Sequence, residues 1–347
     1  MGQMDDISVR RALAVPTLNL AVMMALAAIV AWFTRVDGTR VFWPYLSGWV
    51  AATILTVLIW ALLQTAAMAR RREDDPIQKL AAALWSKLPL YVIPALIFPL
   101  FLGAYTWAKA SIPFTVGYPW ESFWADADHV LLRNDGWRIA HALMPSSLAL
   151  AWTYFYAIFW GLLLVFVGAL VTAFADRRTI ATFYTGLMLS WLMGGFVLAY
   201  ALSCAGPVFA HLADPALAER FAPLRAELMA SLAPDNIVLT TQRYLAAGID
   251  SRIALKGSGI SAMPSMHIAT ATIFVLAARR TKWMPLALLF WLMTFFGSVY
   301  LGYHYAVDAP VAVAVATPCW LVARRIYRPH GQPSVGSLQM PAAASLA

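Results

Sequence analysis

Eight apolar runs constrain this chain more than any other feature. They cover approximately residues 16–34, 43–68, 88–108, 147–174, 180–203, 264–279, 283–302 and 305–323. Most approach the roughly 20 residues that an α-helix needs to cross a hydrocarbon layer. Composition agrees: 61% of the 347 residues are apolar and only 12% are charged, about half the charge of a soluble domain. The pattern predicts an all-α, polytopic membrane helix bundle of about eight transmembrane helices. It excludes a soluble enzyme, a coiled coil and a disordered chain. The net charge of +8 does not point to nucleic acid, because Lys and Arg lie in small groups between the apolar runs and form no basic stripe. The sixth run is short and is expected to start from a buried loop. The first follows Arg10 and Arg11 but lacks a small-residue cleavage site before Trp32, so it reads as a retained helix.

The cationic groups also set an expected orientation. With the N-terminus in the cytoplasm, the cytoplasmic segments hold Arg10, Arg11, Arg70, Arg71, Arg72, Lys79, Lys87, Arg177, Arg178, Arg279, Arg280, Lys282, Arg324, Arg325 and Arg328. The short outer loops hold only Arg35, Arg40, Lys109, Arg133 and Arg138. Five more cations sit in the long segment 204–263, which carries less weight because long loops translocate largely regardless of charge. Both termini are therefore expected in the cytoplasm, in a bacterial inner membrane. Acidic residues Asp5, Asp6, Glu73, Asp74, Asp75 and Asp176 join the cytoplasmic side, which leaves the outer side nearly neutral.

Three units are expected: an N-terminal two-helix membrane segment at 1–75, a catalytic membrane domain at 76–328 containing six helices, and a Pro/Ser/Ala-rich disordered tail at 329–347. Cys204 and Cys319 show no metal or redox spacing and read as buried thiols. Two outer stretches are amphipathic. In 214–233, Leu217, Phe221, Leu224, Leu228 and Leu232 recur at helical spacing; in 120–131, Trp120, Phe123, Trp124, Ala127, Val130 and Leu131 do so beside Glu121, Asp126 and Asp128. Each fits either a helix lying in the membrane interface or one packed on the protein. His129, His141 and His211 are read as surface or interface residues.

Ionisable groups inside membrane helices mark the chemistry, since a charge at the bilayer centre costs about 2.5–3.5 kcal/mol or more. His267, His304 and Asp308 qualify, and the orientation count puts all three at outer helix ends. Four residues separate His304 from Asp308, so on one helix they share a face. A carboxylate beside an imidazole fixes its tautomer and leaves the other nitrogen with a free lone pair, the arrangement of a base or a nucleophile. A surface ion pair at a helix start is the plain alternative. Ahead of His267 runs Gly257-Ser258-Gly259-Ile260-Ser261-Ala262-Met263-Pro264-Ser265-Met266. Pro264 suits the first helical turn, and a glycine-bearing loop entering a helix N-terminus is an anion site. Ser265 adds a hydroxyl donor. A metal held by two His and one carboxylate is the competing reading, with few ligands to support it.

Pro264-Ser265-Met266-His267, followed 37 residues later by His304-Tyr305-Ala306-Val307-Asp308, resembles the PSxH and HxxxD motifs of the type 2 phosphatidic acid phosphatase superfamily. The HYxxD form is closest to its inositol phosphorylceramide synthase-like branch. The resemblance spans about residues 88–325. It implies that His304 attacks phosphorus and forms a phosphohistidine, that Asp308 orients it and that His267 protonates the leaving alkoxide. Ser265, the amides after Pro264, Gly302 and Tyr305 would border the phosphate, with no cofactor and no metal.

Two departures stand out. The phosphatase members carry a Lys-x6-Arg-Pro motif and an arginine six residues before the nucleophile; this chain has no such motif and has Ser298 at that position. Segment 203–209 resembles the proline-bearing counterpart in the synthase-like branch but holds no cation. Arg243, Lys256 and Arg252 are the candidate replacements in the adjoining loop, with Arg243 and Lys256 preferred; the plain alternative for each is a solvated loop charge. The expected function is a lipid phosphotransferase acting on a phospholipid or lipid phosphate at the outer face. Hydrolysis of a lipid or polyprenyl phosphate is the alternative, and a proton-coupled transporter or an inactive structural homologue are minor readings. Oligomeric state is open.

Overall fold

The computed structural model describes residues 7–328, so Asp5, Asp6 and the tail from 329 lie outside the described residues. The chain runs through α1 (Val9–Thr34), α2 (Thr39–Arg71), α3 (Pro76–Thr115), α4 (Glu121–Leu132), α5 (Gly136–Leu143), α6 (Ser146–Phe174), α7 (Arg177–Ala201), α8 (Ala222–Ser231), α9 (Ile237–Ser251), α10 (Met266–Ala278), α11 (Met284–Tyr300) and α12 (Asp308–Ile326). Among the described residues there is no strand, only an isolated bridge between Asp37 and Ile253. Helices α1, α2, α3, α6, α7 and α12 are long and apolar enough to span a membrane; α10 and α11 are shorter apolar helices. This is a polytopic helical membrane protein, and each expected apolar run became a helix.

Side-chain caps fix several helix starts. Ser8 accepts the Arg11 amide, Asp176 the Thr179 amide and Asn236 the Val238 amide, each satisfying a donor that the first turn leaves open. α10 begins at Ser265, whose oxygen accepts from Ile268 N. Its 13 residues rise only about 20 Å, so the glycine loop before it reaches into the fold. Irregular backbone at that depth is tolerated because protein surrounds it: Ala262, Met263 and Ser265 are all buried.

Packing ranks the helices. α7 has 78% of its apolar window buried and α3 has 67%, against 22% for α1 and 28% for α2 and α6. α7 and α3 are therefore the hub, with α1 lying along both and α12 packed on α7 and α10. Leu58, Leu62, Leu63, Leu162, Leu288 and Leu289 point outward. In water these would be a liability; in lipid an outward leucine costs nothing. π turns interrupt α3 at Ile93–Ile97, α6 at Phe155–Phe159 and α7 at Met193–Leu198, a distortion that is frequent at functional sites.

The two amphipathic stretches resolve oppositely. Leu217, Phe221, Leu224, Leu228 and Leu232 are all buried, so 214–233 packs on the protein. In α4 the apolar residues face out, with Val130 76% and Leu131 69% exposed, while Glu121 and Asp128 are buried. Glu121 and Asp128 thus face the protein, Asp126 is exposed, and the apolar stripe faces outward as an interfacial helix does.

The connection between α1 and α2 holds the loop that precedes α10. Arg252 donates to the Thr34 carbonyl at 2.6 Å, Asp37 N bonds Arg252 O, and Ala254 N bonds Asp37 O. Gly257 N donates to the Tyr45 hydroxyl at 3.2 Å. Both cysteines are buried and free.

Candidate active site

The α11–α12 connection is a turn. His304 N and Tyr303 N both donate to Ser298 O, Asp308 N donates to Tyr305 O, and Asp308 is the first residue of α12. His304 and Asp308 are therefore not neighbours on one helix as the spacing implied. The turn folds the imidazole back over the helix start instead. His304 Nδ1 lies 2.9 Å from Asp308 Oδ2 and 2.8 Å from the Ala262 carbonyl. Both partners are acceptors, so Nδ1 carries the hydrogen and Nε2 keeps its lone pair. Tyr305 N donates to the same Asp308 oxygen at 3.1 Å. Burial is the main force keeping the ring neutral and pushes the His304 pKa down to about 3. The Lys109 ammonium lowers it further, while the bond to Ala262 opposes both.

His267 is the second residue of α10. Its ring stacks on Tyr156 at 4.4 Å and lies tilted against Trp160 at 3.9 Å, and its centroid is 6.0 Å from that of His304. Trp160 Nε1 donates to the His267 carbonyl at 3.4 Å. Tyr156 belongs to the π turn of α6, and its hydroxyl is buried with no hydrogen-bond partner. No local pattern marks this aromatic seat, because Tyr156 and Trp160 lie more than a hundred residues from His267 and look like ordinary membrane-helix aromatics.

The expected phosphate-side residues are distributed unevenly. Ser265 is the cap of α10, one residue after Pro264, which therefore precedes the helix and is not in its first turn. The Met266 and His267 amides, as the first two of a helix, have no intrahelical acceptor. Gly302 N is committed to Val299 O. Its φ of +71° suits glycine, and a Cβ would come within 2.6 Å of Leu224. Tyr305 commits its amide to Asp308 and its hydroxyl to Glu121 at 2.7 Å. Arg243 donates to the Pro234 carbonyl, Lys256 lies over the Tyr45 ring and Arg252 over Phe114. None of these three cations has a contact with His304 or His267; Lys109, counted only as an outer charge in the sequence, acts electrostatically on both.

Two buried acids of α4 hold this machinery in place. Glu121 accepts the Ala205 and Gly206 amides and the Tyr305 hydroxyl, joining segment 203–209 to the turn bearing His304. Burial raises its pKa, and the Tyr305 and amide bonds work against that. Asp128, seven residues on and so on the same face, accepts Gly136 N at 2.9 Å and Val307 N at 3.1 Å. Its pKa is likewise raised, first by burial. Outside them Asp135 binds Arg220 at 2.6 Å and His129 at 3.0 Å. Burial pushes its carboxyl up, but these bonds prevail and hold it below the usual range. His141 is not a surface residue: its side chain is 7% exposed, stacks on Tyr300 and lies 2.8 Å from Glu227. Among the described residues, no three of His, Cys, Asp and Glu cluster as metal ligands.

A family model described as the PAP2 superfamily matches residues 125–322, more than half of the chain, which therefore belongs to that superfamily. No curated protein and no solved structure gave a match. Membership makes the chain a phosphatase-type membrane enzyme for lipid-type phosphoesters.

Proposed function

We propose that the chain transfers a phosphoryl-linked headgroup from an amphipathic phosphoester to a hydroxylated acceptor through a phosphohistidine, in the manner of the inositol phosphorylceramide synthase-like branch. The observation that carries this reading is the fixed tautomer of His304. With Nδ1–H held by Asp308 and Ala262, Nε2 is a neutral nucleophile, and the His267 ring lies 6.0 Å, centroid to centroid, from the His304 ring. In the first half-reaction the Nε2 lone pair forms an N–P bond, the P–O bond to the leaving alkoxide breaks, and His267 donates a proton to that oxygen. In the second, an acceptor hydroxyl loses its proton to His267, attacks phosphorus and releases His304. The α10 amides and Ser265 stabilise the charge on the equatorial oxygens.

With the N-terminus cytoplasmic, the site faces the outer leaflet, and the substrate keeps its tail in lipid while its head reaches the histidines. Hydrolysis is the second reading, favoured by superfamily membership, and differs only in that water replaces the acceptor. A panel of lipid phosphates and phospholipids, assayed with and without inositol, separates the two. Headgroup transfer exceeding inorganic phosphate release supports transfer; phosphate release unaffected by acceptor supports hydrolysis. If His304→Ala matches the wild type on every substrate, the mechanism is wrong.

A further inference from the structure

We propose that Lys109, at the outer end of α3, is the cation that binds the phosphoryl group. The assignment rests on the phosphoryl-transfer reading above and supplies the positive partner absent from Ser298 and from segment 203–209. Without a cation, the charge of the phosphoryl oxygens, which grows as His304 attacks, would face only neutral donors, and charge-assisted bonds are roughly twice as strong as neutral ones.

Three observations converge on this residue. Its stem lies against the glycine loop: a Cβ on Gly259, whose φ is +89°, would come within 3.0 Å of Lys109 Cγ and 2.9 Å of the Lys109 carbonyl carbon. Only a glycine lets that loop rest directly on α3. Three residues later the same loop presents Ala262 O to His304, and three after that it becomes the Ser265 cap. Lys109 is thus packed against the loop that becomes the first motif and that holds the second through the Ala262 carbonyl. Its charge is felt at both histidines.

The third observation is what the ammonium lacks. Lys87 is held by the Ala173 and Ala175 carbonyls and Arg220 by Asp126 and Asp135, whereas the Lys109 ammonium has no hydrogen bond or ion pair within the described residues. The Tyr156 hydroxyl, on the aromatic seat of His267, is a second buried donor without an acceptor. A partly buried, unpaired ammonium opposes folding. An open hydroxyl on the ring stacked against His267 and an open ammonium on the stem packed against the glycine loop leave two donors whose acceptor comes from a ligand, here the phosphoryl oxygens.

The test uses the full-length protein in detergent, with orthovanadate as the phosphoryl mimic. Lys109→Met keeps the stem length and removes the charge; Lys109→Arg keeps the charge. Lys109→Met is expected to unfold at the same or a higher temperature than the wild type, because an unpaired charge is gone. It should lose about a hundredfold in kcat/KM and about tenfold or more in vanadate affinity, read both as inhibition and as vanadate-induced thermal stabilisation. Lys109→Arg should recover most of both. Wild-type vanadate affinity in Lys109→Met overturns the assignment, as does finding the loss in Arg243→Gln or Lys256→Gln instead. If His304→Ala is inactive while Lys109→Met is fully active, only this assignment fails. If His304→Ala is fully active, the phosphohistidine reading fails, and vanadate stabilisation alone still decides Lys109: its loss in Lys109→Met supports the assignment and its retention overturns it.

Discussion

Removing the Glu121 carboxylate should unfasten the site from its scaffold, and the size of the effect follows from what it holds. Its oxygens accept two buried backbone amides, of Ala205 and Gly206, and the phenol of Tyr305. Glu121→Ala leaves three buried donors unpaired at about 1–3 kcal/mol each, or about 3–9 kcal/mol in total. That is comparable with the whole stability of many domains, about 5–15 kcal/mol. Glu121→Gln is far milder, because the amide oxygen still accepts and the phenol can reverse its role and accept from the amide nitrogen. Only charge assistance is lost, about 1–2 kcal/mol. Tyr305→Phe removes one of the three donors and leaves the carboxylate on its two amides, at about 1 kcal/mol. The decisive quantity is the coupling, measured by reversible unfolding in mild detergent followed by tryptophan fluorescence. In the Glu121→Ala background Tyr305→Phe removes an orphaned hydroxyl, so it should be neutral or stabilising and give a coupling of about 1–3 kcal/mol. If Tyr305→Phe costs the same in both backgrounds within about 0.5 kcal/mol, the bond carries no energy and α4 is not what fastens the turn.

Three further outcomes are expected. Asp308→Asn should lower kcat by about a thousandfold with little change in KM, since an amide can present a donor to Nδ1 and leave the imidazole in the wrong tautomer; a loss under tenfold would remove Asp308 from the mechanism. Because the folded-state pKa of His304 lies near 3, the reactive neutral form is already fully populated above that value and is lost only as pH falls through it. The acid limb of kcat/KM should therefore lie well below pH 6.5, the ordinary histidine value, and a limb centred at 6.5 that vanished in His304→Ala would show an ordinary imidazole. Gly206→Ala places a Cβ at φ +93°, 2.6 Å from the Tyr303 carbonyl oxygen, so it should abolish activity or folding; wild-type turnover would mean that segment 203–209 is not rigidly set against the nucleophile turn.

What the sequence made legible, and what it hid, has a physical pattern. The eight apolar runs foretold the helices because lipid demands continuous apolar faces, and the PSxH and HxxxD motifs were visible because each is local. The residues that fasten and tune the site come from far away in the chain: Glu121 and Tyr305 are 184 residues apart. α4 was further disguised by its solvent. Its amphipathic pattern fits both a helix packed on the protein with its acids outward and one whose apolar stripe faces lipid; in the structure the stripe is exposed, and Glu121 and Asp128 turn in. Arg243 and Lys256 drew attention by their nearness in sequence to the motif, but helix α9 carries the first to the Pro234 carbonyl and the second rests on Tyr45. Lys109 had no motif around it at all, only a glycine 150 residues later that leaves room for its backbone.

Trapping the phosphorylated intermediate asks whether His304 carries the phosphoryl group. Wild-type protein is mixed with a lipid substrate bearing a radiolabelled phosphoryl group, quenched in alkali and digested. The label should be stable to base, labile to acid and located on the peptide containing His304, absent from His304→Ala and accumulating in His267→Gln where release is slowed more than formation. Turnover by the wild type with no label on His304 under any quench, or equal labelling of His304→Ala, would contradict it.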